Sequence, residues 1–284
     1  MGKIRAFSLT VCALMLGLGG AGEFGGSQEP SERKVSVKIL TLNTWQDRGP
    51  WRARWELIFR ELKAYDADIV GLQEVFDMDW AREIRERSGY PYLAVSGEHS
   101  GLIFLSRFKP VDQECLMMKT KSLTEDYFRY IYYVLVDAGG KKIALFNTHL
   151  SWKADENEAR MKQTLELAAF VQKKAGDLPV VLLGDLNAGP ETPSATYLRE
   201  NLKWCDTFDS KNPGDVGLTW DYTNPYAKAE GEKMAERRID YIFVREQTGI
   251  FKKILSSRLV FNEPSVEGVY PSDHFGVMTE FSES

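Results

Sequence analysis

Asp185 and Asn187 follow the apolar run 180–183 and Gly184 at alternate positions. In an extended chain, alternate side chains share one side. A carboxylate and an amide therefore project together from the mouth of a strand buried on both faces. Both are costly to desolvate without partners. The plain alternative is a turn, which Asp, Asn and Gly all favour. The arrangement recurs, however. Asn43, Glu74, His149, Asp240 and the adjacent Asp273 and His274 also stand where an apolar run begins or stops. The chain has three histidines, and two of them are in this group. One such residue is ordinary. Six such places in one chain argue for strand ends gathered around a single site.

The residue types narrow the chemistry. Asn43, Glu74 and Asp273 offer hard oxygen ligands, suited to magnesium or manganese and not to a zinc thiolate site. No His/Cys cluster at zinc spacing competes. A divalent ion held there would neutralise charge on a phosphate oxygen. His274 and Asp240 make an acid–base pair in which the carboxylate fixes the tautomer. Asp185 and Asn187 suit the orientation of an attacking water. His149 suits stabilisation of a pentavalent phosphorus or assistance to a leaving group. Acyl transfer finds no Gly-x-Ser-x-Gly elbow, and no glycine loop is built to cradle a nucleotide phosphate.

The elements that must position these residues follow from periodicity. Residues 34–43 alternate into a strand ending at Asn43. Trp51, Trp55, Ile58, Phe59 and Leu62 predict an amphipathic helix over 51–63, opened by Pro50. A buried strand covers 68–74, a helix 78–87 closed by Gly89, and a strand 101–106. Strands 130–136 and 142–148 flank a hairpin turn at 138–141. Asp155 and Glu158 form a capping-box pattern that opens a helix to about Lys174, closed by Gly176. A strand at 179–184 precedes a loop-rich stretch. Strands follow at 239–244, near 255–261 and at 275–281. Helices interleave with strands, yet hairpins occur too, so mixed sheets are expected over a purely parallel one.

A length of 284 residues fits one large domain or two small ones. No repeat or low-complexity linker divides it. Residues 1–22 read as an export signal: Lys3 and Arg5, an apolar stretch over 6–18, then Gly20, Ala21 and Gly22 as a cleavage site. That run is short for a membrane span. Residues 23–33 read as a flexible leader, leaving 34–284 as the domain and an exported location, secreted or periplasmic. Removing 1–22 takes two of the 36 basic residues and none of the 41 acidic ones, so the formal charge moves from −5 to −7. This argues against a large basic nucleic-acid surface, though not against a nuclease that works through a metal. Cys115 and Cys205 remain. They either pair after export or are two buried thiols.

Other residues carry two readings each. His99 fits a loop at the rim. Arg160 and Gln163 either reach the site or face solvent on their helix. Arg237 and Arg238 either touch phosphate or pair with Glu236 and Glu232 at the surface. Trp152, Trp220, Tyr222 and Tyr226 form a substrate wall or lipid-contact edge, or pack beneath long loops. Residues 228–238 read as a solvated helix or flexible loop.

Six strings occur in order: Leu-Asn-Thr-Trp, Leu-Gln-Glu-Val, Asn-Thr-His-Leu, Gly-Asp-Leu-Asn, Arg-Arg-Ile-Asp-Tyr and Ser-Asp-His-Phe. The set, from about Val37 to Phe281, resembles the endonuclease/exonuclease/phosphatase superfamily. The resemblance implies a four-layer α/β/β/α sandwich of two mixed β-sheets with outer helices, and metal-dependent phosphoester hydrolysis without a covalent intermediate. It implies Asn43 and Glu74 at the ion with Asp273 beside it, and Asp185 and Asn187 at water and phosphate. It further implies His149 on phosphate, Asp240 behind a histidine, and His274 as base. The variants are most similar to neutral sphingomyelinases, which share the Gly-Leu-x-Phe-Leu-Ser of 101–106. Secreted non-specific nucleases share most of the strings. The 5-phosphatase branch differs after Gly-Asp-Leu-Asn, and the abasic-site endonucleases differ after Gln-Glu. The expectation is a secreted, magnesium-dependent phosphodiesterase, with manganese as the other candidate ion. Its substrate would be a sphingomyelin-type phospholipid or a nucleic acid. A transient membrane-surface contact is open, and a monomer is expected.

Overall fold

Two parallel strand pairs, one in each of two sheets, organise the molecule. The computed structural model describes residues 36–97, 99–230, 234–245 and 249–283; the expected signal and leader lie outside them. In chain order the strands are β1 (Ser36–Asn43), β2 (Ile69–Gln73), β3 (Tyr92–Val95), β4 (Ile103–Ser106), β5 (Lys109–Met117) and β6 (Tyr130–Asp137). They continue with β7 (Lys142–His149), β8 (Val180–Asp185), β9 (Cys205–Asp206), β10 (Asp240–Val244), β11 (Lys253–Val260) and β12 (Gly276–Ser282). One sheet runs β11-β12-β1-β2-β4-β3 and the other β5-β6-β7-β8-β10-β9. β1 pairs with β2, and β7 with β8, in parallel; the remaining pairings are antiparallel. Both sheets are therefore mixed, as expected.

The long helices are α1 (Trp51–Tyr65), α2 (Met78–Ser88) and α3 (Asn157–Ala175). Trp55, Ile58, Phe59 and Leu62 of α1 pack with Leu40, Val70 and Ile103 on the outer face of the first sheet. Leu167, Phe170 and Val171 of α3 pack with Phe146, Leu182 and Phe243 on the outer face of the second. Between the sheets lies a third core, with Ile39, Ile69 and Val277 facing Val134, Leu145, Leu183 and Ile242. Three apolar layers between four layers of structure make the α/β/β/α sandwich.

The inter-sheet core is not wholly apolar. Gln73 Nε2 donates to Asn147 Oδ1 at 2.8 Å, and Asn147 Nδ2 donates to the carbonyls of Leu72 and Ile103 at 3.0 and 3.1 Å. This amide pair, fully buried, joins the sheets directly below their polar ends.

Several local expectations change. The capping box at Asp155 does not form: α3 begins at Asn157, with Glu156 before it and no side-chain cap. Glu156 instead accepts from the backbone and hydroxyl of Thr124. β3 and β5 appear where no strand was expected. β5 is an edge strand with an irregular, largely exposed face and a register shift at Pro110, so it lacks a period-two signal. Cys115 and Cys205 form no disulfide with each other. They sit on β5 and β9, the two opposite edges of one sheet, roughly 24 Å apart at about 4.8 Å per strand.

Candidate active site

All the polar strand ends meet at one edge of the sandwich, and topology explains why. β1 and β2 run parallel and stop together, with Asn43 opposite Gln73. β7 and β8 do the same, with His149 opposite Asp185. β10 is antiparallel to β8 and so begins where β8 ends, placing Asp240 opposite Asp185. β12 is antiparallel to β1 and begins at the same end, with Asp273 and His274 just before it. His149, Asp185 and Asp240 thus form a row across three adjacent strands.

The backbone bends sharply to aim these groups. Glu74 and Asn187 adopt left-handed φ values of 64° and 48°, and Trp45 and Gln46 adopt 56° and 49°. Non-glycine residues there carry strain, which tends to gather at functional sites. Gly184 makes the approach to Asp185 feasible: at φ 133°, a Cβ would lie 2.1 Å from the Thr148 carbonyl oxygen.

The side chains interlock around a cavity of about 710 Å³. Asn43 Nδ2 donates to Asp185 Oδ2 at 3.0 Å and lies 3.5 Å from Glu74 Oε1, while Asn43 Oδ1 accepts from the Trp45 backbone. Gln46 donates to the other Glu74 oxygen at 3.0 Å. The backbone N–H of Asn187 donates to Asp185 Oδ1 at 2.8 Å, and its side chain donates to the Leu150 carbonyl. His149 Nε2 lies 3.4 Å from Asp185 Oδ2. His274 Nδ1 lies 2.9 Å from Asp240 Oδ2, and its Nε2 lies 3.9 Å from Asp185 Oδ2. The Trp220 ring stands edge-on to His274 at 5.0 Å.

Electrostatics separates the roles. Burial, with Asp240 beside it, pushes Asp185 up to about 6. Burial, reinforced by Glu74, pushes Asp273 up to about 7. For His274 burial acts downward, but Asp240, Asp273, Asp185 and the Asp240 hydrogen bond outweigh it and push the imidazole up to about 10. Burial, then Arg129 and His274, hold His149 well below its ordinary value, so it is neutral. Like-charged carboxylates crowded in a buried site favour protonation or a cation.

That charge set fits a divalent ion. Glu74 and Asp273 both line the cavity and offer oxygen donors of the right hardness. Asp185, Asp240 and His274 also present ligand atoms within 4.8 Å of one another, and Asp240 Oδ1 is buried without a partner. There, however, the histidine is already hydrogen-bonded to Asp240, and the carboxylates around it favour its protonated form. An imidazolium has no lone pair for a metal, so this group suits proton chemistry better. Asn43 turns its amide nitrogen to both carboxylates, so it orients Asp185 and Glu74 here.

Seven of the eight residues singled out from sequence line the cavity; Asp240 lies behind His274, fully buried. His99 is exposed on the rim. Arg160 and Gln163 neither reach the cavity nor face solvent. Both are buried and hold the chain after His149 through Ser151. Arg238 pairs with Asp206 at 2.6 Å inside the protein, not with surface glutamates. Of 228–238, read as a solvated helix or flexible loop, 228 and 229 end a short helix over Pro225–Ala229, and 231–233 lie outside the described residues. Residues 234–238 are neither solvated helix nor loose loop: Arg237 bridges to Trp220, and Met234 packs with it. Tyr226 packs against Trp45, their rings tilted by 31° at 4.8 Å. Sequence reasoning passed over Trp45, Gln46, Phe76, Tyr127 and Arg129, which also line the cavity. The adjacency of Trp45 and Gln46 to Asn43 was an available signal; the loop before β6 carried none.

A family profile described as Endonuclease/Exonuclease/phosphatase family matches residues 40–274, from the middle of β1 to His274. The chain belongs to that family. Similar proteins include a Drosophila melanogaster protein provisionally named a neutral sphingomyelinase, 29% identical over 283 residues, 87% of this chain and 60% of that one. Gallus gallus tyrosyl-DNA phosphodiesterase 2 is 26% identical over 253 residues, 85% of this chain and 66% of that one. The chain thus spans less than two thirds of these relatives. Among solved structures, Bacteroides thetaiotaomicron mannosyl-6-phosphatase superposes with a TM-score of 0.70 at 19% identity, covering 86% of this chain and 99% of that one. Truncated Caenorhabditis elegans TDP2 gives 0.69 at 19%, covering 87% and 97%. At such identities the likeness establishes the family's sandwich fold.

Proposed function

We propose that this member of the family is a phosphodiesterase dependent on magnesium, with manganese able to replace it. The observation that carries the reading is the double set at one strand edge. Glu74 and Asp273 stand on one side, and the row His149–Asp185–Asp240 with His274 stands on the other. Glu74 and Asp273 would hold the divalent ion, which when bound would supply charge neutralisation at a phosphate oxygen. Asp185, ionised above about 6 and aimed by Asn43 and by the Asn187 N–H, orients and deprotonates the attacking water. His274, fixed by Asp240, presents a proton and positive charge to the phosphate as negative charge develops. His149, neutral and beside Asp185, donates a hydrogen bond to a phosphate oxygen. The family resemblance implies His274 as base, with the choice between it and Asp185 left open by the sequence. Its elevated proton affinity favours Asp185 for that role and His274 as the cationic partner.

For the substrate we favour a sphingomyelin-type phospholipid. The motif variants support this, as does the name of the fly relative. So does a rim where Phe76 and Tyr127 are 42% and 49% exposed beside the cavity, since interfacial aromatics suit a headgroup region. A DNA phosphodiester is the second reading, favoured by the name of the chicken relative and by Arg48, Arg129 and Lys153 around the cavity. We further propose export, with residues 1–22 removed. N-terminal sequencing of native protein should start after them; an intact Met1 on cytosolic protein refutes export.

The deciding experiment offers purified protein and magnesium four substrates: sphingomyelin vesicles, plasmid DNA, single-stranded RNA and an inositol phosphate. Phosphocholine release without plasmid nicking is expected. Rapid nicking with inert vesicles transfers the assignment to a nuclease.

A further inference from the structure

Two buried arginines occupy equivalent places in the fold. Each sheet contains a parallel pair joined through a helix: β1–α1–β2 and β7–α3–β8. Arg54 lies eleven residues after Asn43, the last residue of β1, and Arg160 lies eleven after His149, the last of β7. Both sit in the first turns of the crossover helix, 0% and 1% exposed. Neither reaches the cavity, and neither is held chiefly by a carboxylate.

Arg54 uses all five of its N–H groups on backbone carbonyls. Nε donates to Arg48 at 3.0 Å, one terminal nitrogen to Thr44 and Pro271 at 2.9 and 3.0 Å, and the other to Trp45 and Gln46 at 3.1 and 2.9 Å. Four of these carbonyls lie in the loop after Asn43, whose Gln46 side chain braces Glu74. The fifth lies two residues before Asp273. One rigid fork therefore ties the segment orienting Glu74 to the segment carrying Asp273.

Arg160 performs the matching task on the other sheet. Its terminal nitrogens donate to the carbonyls of Ser151, Lys153 and Ala154 and to Asn157 Oδ1. The three carbonyls belong to the loop after His149, where Trp152 and Lys153 form a cavity wall, and Asn157 opens α3. Among the described residues, Arg160 makes no hydrogen bond on the Glu74–Asp273 side.

We propose that Arg54 and Arg160 are positioning residues with separate duties: Arg54 sets the metal-holding half of the site, and Arg160 sets the His149–Lys153 wall that meets the substrate. The inference rests on the metal-dependent reading above. Lysine keeps the charge at each place but loses the planar five-donor fork.

The test uses the whole chain with Arg54→Lys or Arg160→Lys, checked for fold by circular dichroism. Manganese binding is measured by calorimetry without substrate, and kcat and KM on bis(p-nitrophenyl) phosphate at saturating metal. Arg54→Lys should weaken manganese binding about tenfold to hundredfold, as loss of an outer support does at metal sites. Arg160→Lys should leave manganese affinity within about twofold while kcat/KM falls about tenfold or more. Equal loss of metal affinity in both variants, or no loss in Arg54→Lys, overturns the division of duties. Absence of manganese binding by the unaltered protein defeats the metal reading itself. Should a lysine variant not fold, amide exchange of the unaltered protein decides. Manganese should slow exchange over 44–48 and 270–274 and leave 151–157 unchanged; equal slowing in both overturns the proposal.

Discussion

Asp240 faces Asp185 across the β8–β10 ladder, and the two carboxylates share one histidine. His274 Nδ1 lies 2.9 Å from Asp240, and Nε2 lies 3.9 Å from Asp185. His274 is therefore a bridge whose proton affinity is set from both ends, and the three residues act as one unit.

His274→Ala should lower kcat/KM by about 10²–10⁴-fold, the usual contribution of a positioned proton-transfer group. Asp240→Asn should lose much of the same factor. Because the residues form one unit, the double variant should be little worse than the poorer single one. Steady-state kinetics on a soluble phosphodiester measures all three. Independent, multiplicative losses would separate the pair.

Glu74→Gln preserves shape and removes the charge proposed to hold the ion. Most activity should disappear at ordinary magnesium and return in part at high magnesium or manganese. A metal titration of both proteins reads this as a raised half-saturation point. Full activity of the unaltered protein in chelator would sink the assignment.

Stability of the chelated protein should fall as pH rises from about 6.5 to about 9. Asp273, pushed up from 3.8 to about 7, keeps its proton in the folded chain where the unfolded chain has lost it, so its contribution falls as pH rises from 3.8 to about 7 and is flat above, leaving His274 to drive the alkaline part. His274, pushed up to about 10, contributes stability below its unfolded value of 6.5 and loses it progressively as pH climbs toward 10. Both signs agree. His149, held neutral by burial, acts oppositely only as pH drops below 6.5. Divalent ion should therefore raise Tm more at the alkaline end, where the carboxylates are free of protons. A Tm series with and without manganese tests this; a gain from metal that shrinks with pH would contradict it.

Gly184→Ala should cost roughly 1–3 kcal/mol by forced overpacking against β7, because the new Cβ meets the Thr148 carbonyl. Activity should suffer beyond the loss of stability, since Asp185 is the next residue. Chemical denaturation gives the first quantity and kinetics on folded protein the second. Unchanged unfolding energy would mean that β7 and β8 can separate freely.

Much of this architecture was legible because chemistry and strand endings coincide. Short apolar runs that stop at Asn43, Glu74, His149 and Asp185 announce both the strands and the cavity they share. The helix expected over 51–63 from the spacing of its aromatic and aliphatic residues forms and runs on to Tyr65. Edge strand β5 was hidden because a half-exposed edge needs no alternation. Arg54 and Arg160 were hidden for a different reason. Arginine in a helix usually marks the solvent side, and only coordinates reveal carbonyls converging on it. Arg238 misled likewise, because its buried partner Asp206 is remote in sequence.

The amide pair Gln73–Asn147 has a mechanical consequence. Apolar sheet faces, which attract without direction, can slide over one another. An amide pair cannot, since a small offset breaks its bonds. The pair works as a dowel between two boards, set just below their sawn ends. The 3.0 Å spacing between Asn43 on one sheet and Asp185 on the other is thereby fixed against shear. The two halves of the cavity keep their alignment.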